Sequence, residues 1–177
     1  MPQTSLWFNL EVNARRDPDK PALVFFDRTL SYRELHEQAE HVAAHLQAHG
    51  VQPGDRVMLL MQNCPPWVVA CYAIARANVV LVLVLVLVPV PVPVNPMNRA
   101  EELKHTITDP DVKVAICAAG LAGELLKASN ELPAEQRLTH LLVSHYRDAI
   151  GPQAGLPEAW KPWFETRHPR SPCQTAR

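Results

Sequence analysis

Glycine is scarce in this chain, and its scarcity excludes more than any motif that is present. Six glycines stand among 177 residues, at Gly50, Gly54, Gly120, Gly123, Gly151 and Gly155. A phosphate-cradling loop needs small residues close together, so that backbone N–H groups can converge on the anion. Only Gly120 and Gly123 approach that spacing, and without the other elements of either glycine-rich fingerprint the pair reads as a strand-to-helix turn. Cysteine is also sparse. Cys64, Cys71, Cys117 and Cys173 form no C-x-x-C pair, which excludes zinc-ribbon spacing and a disulfide framework and leaves buried thiols in a reducing compartment.

An excess of charge is missing as well. Seventeen Lys and Arg against 18 Asp and Glu give a formal net charge of −1, and no basic cluster with interleaved aromatics appears, so no nucleic-acid partner is expected. The opening Met1-Pro2-Gln3-Thr4-Ser5-Leu6-Trp7 lacks the basic segment and continuous apolar stretch of a signal peptide, and a cytoplasmic location is the expectation. With 47% hydrophobic and 20% charged residues, the composition fits one globular domain.

What the chain does have is an unusual apolar run over 79–94, in which Leu-Val units give way to Pro-Val units. Leu and Pro codons can differ by one base, so the run has the form of a short DNA repeat expanded by slippage. At sixteen residues it falls short of the ~20 that a bilayer-crossing helix needs. Pro89, Pro91 and Pro93 interrupt its second half, and alternate β-branched Val favours extended structure. The expectation is a long strand with a polyproline-like exit, no membrane span, and possible self-association through two apolar faces.

Around the run, helices and strands alternate. Leu6, Leu10 and Ala14 predict a first helix ending at Asp17-Pro18, and residues 22–26 with 28–30 predict a hairpin. Ser31 and Glu34 form a capping-box pattern for a helix running to His49, with an apolar stripe of Leu35, Ala39, Val42 and Leu46 and Gly50 at its end. Residues 56–61 form a strand apolar on both faces, and Pro65-Pro66 opens the next helix. After the run, Asn98 and Glu101 predict a helix cap, 112–117 a strand, 121–128 a helix and 140–144 another strand. This order gives an α/β fold with a mostly parallel sheet flanked by helices. Residues 1–150 form that portion, with 79–94 as an apolar insertion. In 151–177 repeated prolines predict an irregular or disordered tail, in which Trp160, Trp163 and Phe164 remain able to dock.

With these blocks in place, the chain resembles a known family. Pro18-Asp19-Lys20-Pro21-Ala22-Leu23, Leu30-Ser31-Tyr32-Arg33-Glu34-Leu35, Gly50-Val51-Gln52-Pro53-Gly54-Asp55-Arg56-Val57 and Pro93-Val94-Asn95-Pro96-Met97-Asn98-Arg99, in this order, resemble the N-terminal part of adenylate-forming enzymes of the acyl-CoA synthetase type. The resemblance covers about 6–146. It implies a partial N-terminal domain of such a ligase. It also implies activation of a carboxylic acid, fatty acids being closest, by ATP and Mg²⁺ to an acyl-adenylate, followed by transfer to coenzyme A. The small-molecule carboxylate, ATP and CoA are thus the implied partners of a full-length member. The family's Ser/Thr/Gly-rich loop and Lys are not found, and its later acidic residue and C-terminal lysine would lie beyond Arg177. No catalytic, cofactor-binding or metal residue is therefore assigned, and this stretch by itself is expected to bind no cofactor and to be inactive. A non-catalytic binding or assembly module derived from such a ligase is the alternative.

Other candidates have plainer readings. His41, His45 and His49 recur at i, i+4 spacing, which suits a divalent metal, but they lie beside the apolar stripe and read as a solvated flank. Ser31, Ser144 and Cys64 lack a local partner base, and Cys64 at a helix start reads as structural.

Overall fold

The computed structural model describes residues 5–85, 96–151, 155, 156 and 158, with backbone alone at 84, 85 and 96–100. Helix α1 (Leu6–Arg16) leads into a hairpin of β1 (Pro21–Phe25) and β2 (Arg28–Ser31), and α2 (Tyr32–Ala48) follows. Strand β3 (Arg56–Met61), α3 (Pro65–Arg76), β4 (Val80–Leu85), α4 (Pro96–Thr108), β5 (Val114–Ala118), α5 (Ala119–Asn130) and β6 (His140–Ser144) complete the order. The hairpin is a separate antiparallel pair. The other four strands form a parallel sheet in the order β4-β3-β5-β6.

Period-two alternation sorts the core onto two faces. Val57, Leu59 and Met61 of β3 join Val114, Ile116 and Ala118 of β5 against Ala70, Cys71 and Ile74 of α3 and Leu46 of α2. Met58, Leu60, Ala115 and Cys117 point the other way, against Ile107 of α4 and Leu125 of α5. On the first face an outer layer adds Trp7 and Leu10 of α1, packed with Leu35 and Ala39 of α2. Both faces of β3 are covered, as its continuous apolar sequence requires.

Several boundaries depart from the sequence expectations. α1 buries Trp7 and Leu10 and leaves Leu6 exposed, because the Trp7 indole lies 4.7 Å from the His36 ring of α2 and beneath the Arg76 guanidinium at 5.5 Å. α4 starts at Pro96 rather than behind an Asn98 cap, since proline's fixed φ suits the first helical position. Gly120 and Gly123 lie inside α5, not in a turn before it. Buried Leu125 and Ala128 hold that helix to the sheet, outweighing two weak helix formers. β5 begins at Val114, not residue 112, after Asp111 takes a positive φ of 50°. The part of the apolar run over 86–94 and most of the tail expected over 151–177, with Trp160, Trp163, Phe164 and Cys173, lie outside the described residues. Among the described residues no helix is long and apolar enough to cross a membrane.

Candidate functional site

In open parallel sheets the crevice for ligands opens where chain connections leave in opposite directions, beyond the carboxyl ends of the strands. Here β3 connects to β4 on one side, while its neighbour on the other, β5, connects onward to β6. The crevice is therefore at the ends of β3 and β5. Right-handed crossovers put α3 and α5 on opposite faces, consistent with their separate core clusters.

Tyr146 closes over this point. It opens a short 3-10 turn, Tyr146–Ala149, directly after β6, and its hydroxyl reaches past β5 to accept a hydrogen bond from the Gln62 backbone N–H at 3.1 Å. Burial raises the affinity of the phenol for its proton, and the Gln62 N–H only partly opposes this. Two more donors lie near the end of β3: the Gln62 Nε2 and Trp67 Nε1 groups are shielded from solvent and unpartnered among the described residues. Cys64 caps α3 from the non-helical side, and burial pushes its thiol up to about 11, against a weaker opposing pull from the Trp67 backbone N–H. Cys117 is pushed up to about 12 by burial. Neither thiol is a nucleophile at neutral pH.

Beside the crevice, on the α2/α3 face, lies a cleft of about 410 Å³. Pro65, Val69, Ala70, Ile116 and Leu142 give it apolar walls, and Arg28, His41, Ser144 and Asp148 give it a polar rim. Arg28 donates to the Asp148 carbonyl, and the Gly151 N–H donates to Asp27 Oδ1 at 2.8 Å. These bonds clasp the segment after β6 to the β1–β2 hairpin. Ser144, His41 and Asp148 share the cleft, but no hydrogen bond links them among the described residues. A nucleophile–base pair is thus not assembled.

The sequence candidates separate in space. Ser31 is a helix cap: its Oγ accepts from the Glu34 N–H at 3.2 Å, and Glu34 Oε2 accepts from the Ser31 N–H at 2.8 Å. His41 faces the cleft, whereas His45 and His49 stack at 4.1 Å and meet His140 instead. No three His, Cys, Asp or Glu side chains among the described residues are placed to hold a metal. Tyr146 and His140 gave no sequence signal, because each acquires its partners only when β6 joins β5.

A triphosphate requires cations or convergent N–H donors. The described strand ends, 62–64, 118–120 and 144–146, contain no Lys or Arg. Pro65 and Pro66 remove the first two N–H donors of α3. The residues present thus offer an apolar binding surface with a few N–H donors and do not by themselves fit ATP.

Comparison with known proteins agrees with this architecture. Over 116 residues the chain is 32% identical to the long-chain-fatty-acid–CoA ligase of Bacillus subtilis strain 168, covering 66% of this chain and 19% of that protein. It spans about a fifth of that relative's length. Among solved structures, an anthranilate CoA ligase, AuaEII, in complex with anthranoyl-AMP, superposes with a TM-score of 0.68 at 23% identity, over 88% of this chain and 28% of that one. The inhibitor-bound N-terminal domain of FACL13 from Mycobacterium tuberculosis gives 0.63 at 22%, over 82% and 34%. These structural likenesses establish the fold. Residues 10–175 match the family described as AMP-binding enzyme, nearly the whole chain, and the chain therefore belongs to that family of adenylate-forming ligases.

Proposed function

We propose that this chain is the N-terminal α/β portion of an ATP-dependent acyl-CoA ligase acting on a carboxylic acid, with fatty acids as the substrate class. The family match over 10–175 carries the reading, and the fatty-acid preference follows the similarity to the Bacillus subtilis ligase. In the complete reaction the carboxylate attacks the α-phosphate of Mg²⁺-bound ATP, releasing pyrophosphate, and the CoA thiol then displaces AMP. This portion supplies the sheet, the crevice and the apolar cleft beside it. The 177 residues alone do not catalyse the reaction, because nothing at their described strand ends offsets the polyphosphate charge. Buried thiols at Cys64, Cys71 and Cys117, none in a disulfide, suit the reducing cytoplasm in which we place this activity.

The test is ATP–pyrophosphate exchange with fatty acids of graded length. The purified chain is expected to give none above the blank, and exchange by it would overturn the inactive reading. A chimera in which 6–146 replaces the matching segment of the Bacillus subtilis ligase is expected to show fatty-acid-dependent exchange. A folded chimera without exchange would sink the ligase reading itself.

A further inference from the structure

At the amino ends of the strands, opposite the crevice, three imidazoles meet that the ligase reading does not use. His45 and His49 lie in the last turn and at the C-cap of α2, with ring centroids 4.1 Å apart. His140 is the first residue of β6. Its register opposite Val114 aims it at the α2 face, and its ring lies edge-on to His49 at 5.2 Å. His140 Nδ1 is shielded from solvent and has no hydrogen-bond partner among the described residues, whereas His49 Nδ1 lies 2.8 Å from the His45 carbonyl.

We propose that His45, His49 and His140 act as a proton-operated latch, fastening β6 to the last turn of α2 when neutral and releasing it when protonated. Neutral rings at these separations pack favourably, while two or three imidazolium ions there repel one another in a partly desolvated site. The carbonyls at the C-terminus of α2 favour a cation. They do not prevail: burial, then His49, then His140 hold the proton affinity of His45 below the usual histidine range, with no carboxylate among the causes. Other charges at this end have partners of their own: Asp55 Oδ2 accepts from the Gln52 N–H at 2.8 Å, and Arg137 Nε donates to the Leu132 carbonyl at 2.8 Å. Lys113, whose carbonyl accepts from the His140 N–H at 3.3 Å, has its ammonium 2.9 Å from Asp111, and Arg56 at the start of β3 also acts on Asp111.

The sign follows from His45. A folded-state proton affinity below the unfolded one stabilises the fold above the unfolded pKa of about 6.5, and that stability is lost as pH falls below it. Among the described residues β6 is an edge strand and leads through His145 into Tyr146, so releasing its amino end loosens the segment that closes over the crevice.

Amide hydrogen exchange on the full chain, corrected for intrinsic rates and run with EDTA in every sample, reads the latch. Protection of 140–144 is expected to fall about tenfold from pH 7.5 to 5.5 in the wild type. His49→Gln and His140→Gln should each hold the change to about twofold, while His105→Gln on the opposite face should behave as wild type. An equal fall in both latch variants, or none in the wild type, overturns the proposal. Should the variants fail to fold, an NMR titration of the wild-type imidazoles decides: His45 is expected to titrate below free histidine, and independent titration of all three at the free value overturns the latch.

Discussion

Single residues decide how α2 begins and which thiols are inert. Ser31→Ala removes one half of the reciprocal cap and should cost about 1 kcal/mol, read as a lower thermal midpoint with unchanged helix content. The same pair sets a pH dependence. The Ser31 backbone and hydroxyl hold the Glu34 carboxyl below its usual range, so its contribution is present above the unfolded pKa of 4.5 and disappears as pH falls through the folded value. In Ser31→Ala that acid-side loss should be smaller. Burial makes the opposite argument for the cysteines. With thiols pushed to about 11 at Cys64 and Cys71 and about 12 at Cys117, peptide mapping after maleimide treatment at pH 8 should find all three unmodified in the native chain and modified after unfolding. Ser31 was legible from sequence because its partner lies three residues away. Tyr146 was not, because Gln62 is 84 residues distant along the chain.

Among the elements, β3 is the keel, paired on one side with β4 and on the other with β5. Leu59 is fully buried at the centre of β3, and Leu59→Ala should lower stability by about 3 kcal/mol in denaturant titration, through lost burial and an unfilled cavity. β4 pairs with β3 in register from Val80 opposite Arg56 to Leu85 opposite Met61, where β3 ends. Residues 86–93 follow in the sequence as the rest of the Leu-Val and Pro-Val run. Deleting them should leave the thermal midpoint unchanged or higher; loss of cooperative unfolding would show that the run is needed. β3 and β6 could be read to the residue from sequence, since an apolar run bounded by turn residues marks a covered strand. The starts of α4 and α5 could not. Proline geometry set one, and packing of Leu125 and Ala128 overrode local glycine propensity in the other.

At the scale of the whole molecule, the order of elements makes a domain with two covered sheet faces, and strand order places the crevice. Tyr146→Phe tests that placement. Losing the acceptor for the Gln62 N–H should cost about 1 kcal/mol and speed amide exchange at Gln62 while sparing β3 itself. Exchange spread evenly over the sheet would argue that Tyr146 does not close the crevice. The sequence by itself determined the α/β class, the alternation of elements, the cap of α2, the double-sided burial of β3 and the resemblance to adenylate-forming ligases. Each of these is written in local periodicity or in the order of short blocks. Only the tertiary structure decided that β5 inserts between β3 and β6, that Tyr146 bridges their ends, and that His140 joins His45 and His49 rather than His41. Strand order brings together residues about ninety positions apart, and no local spacing encodes that pairing.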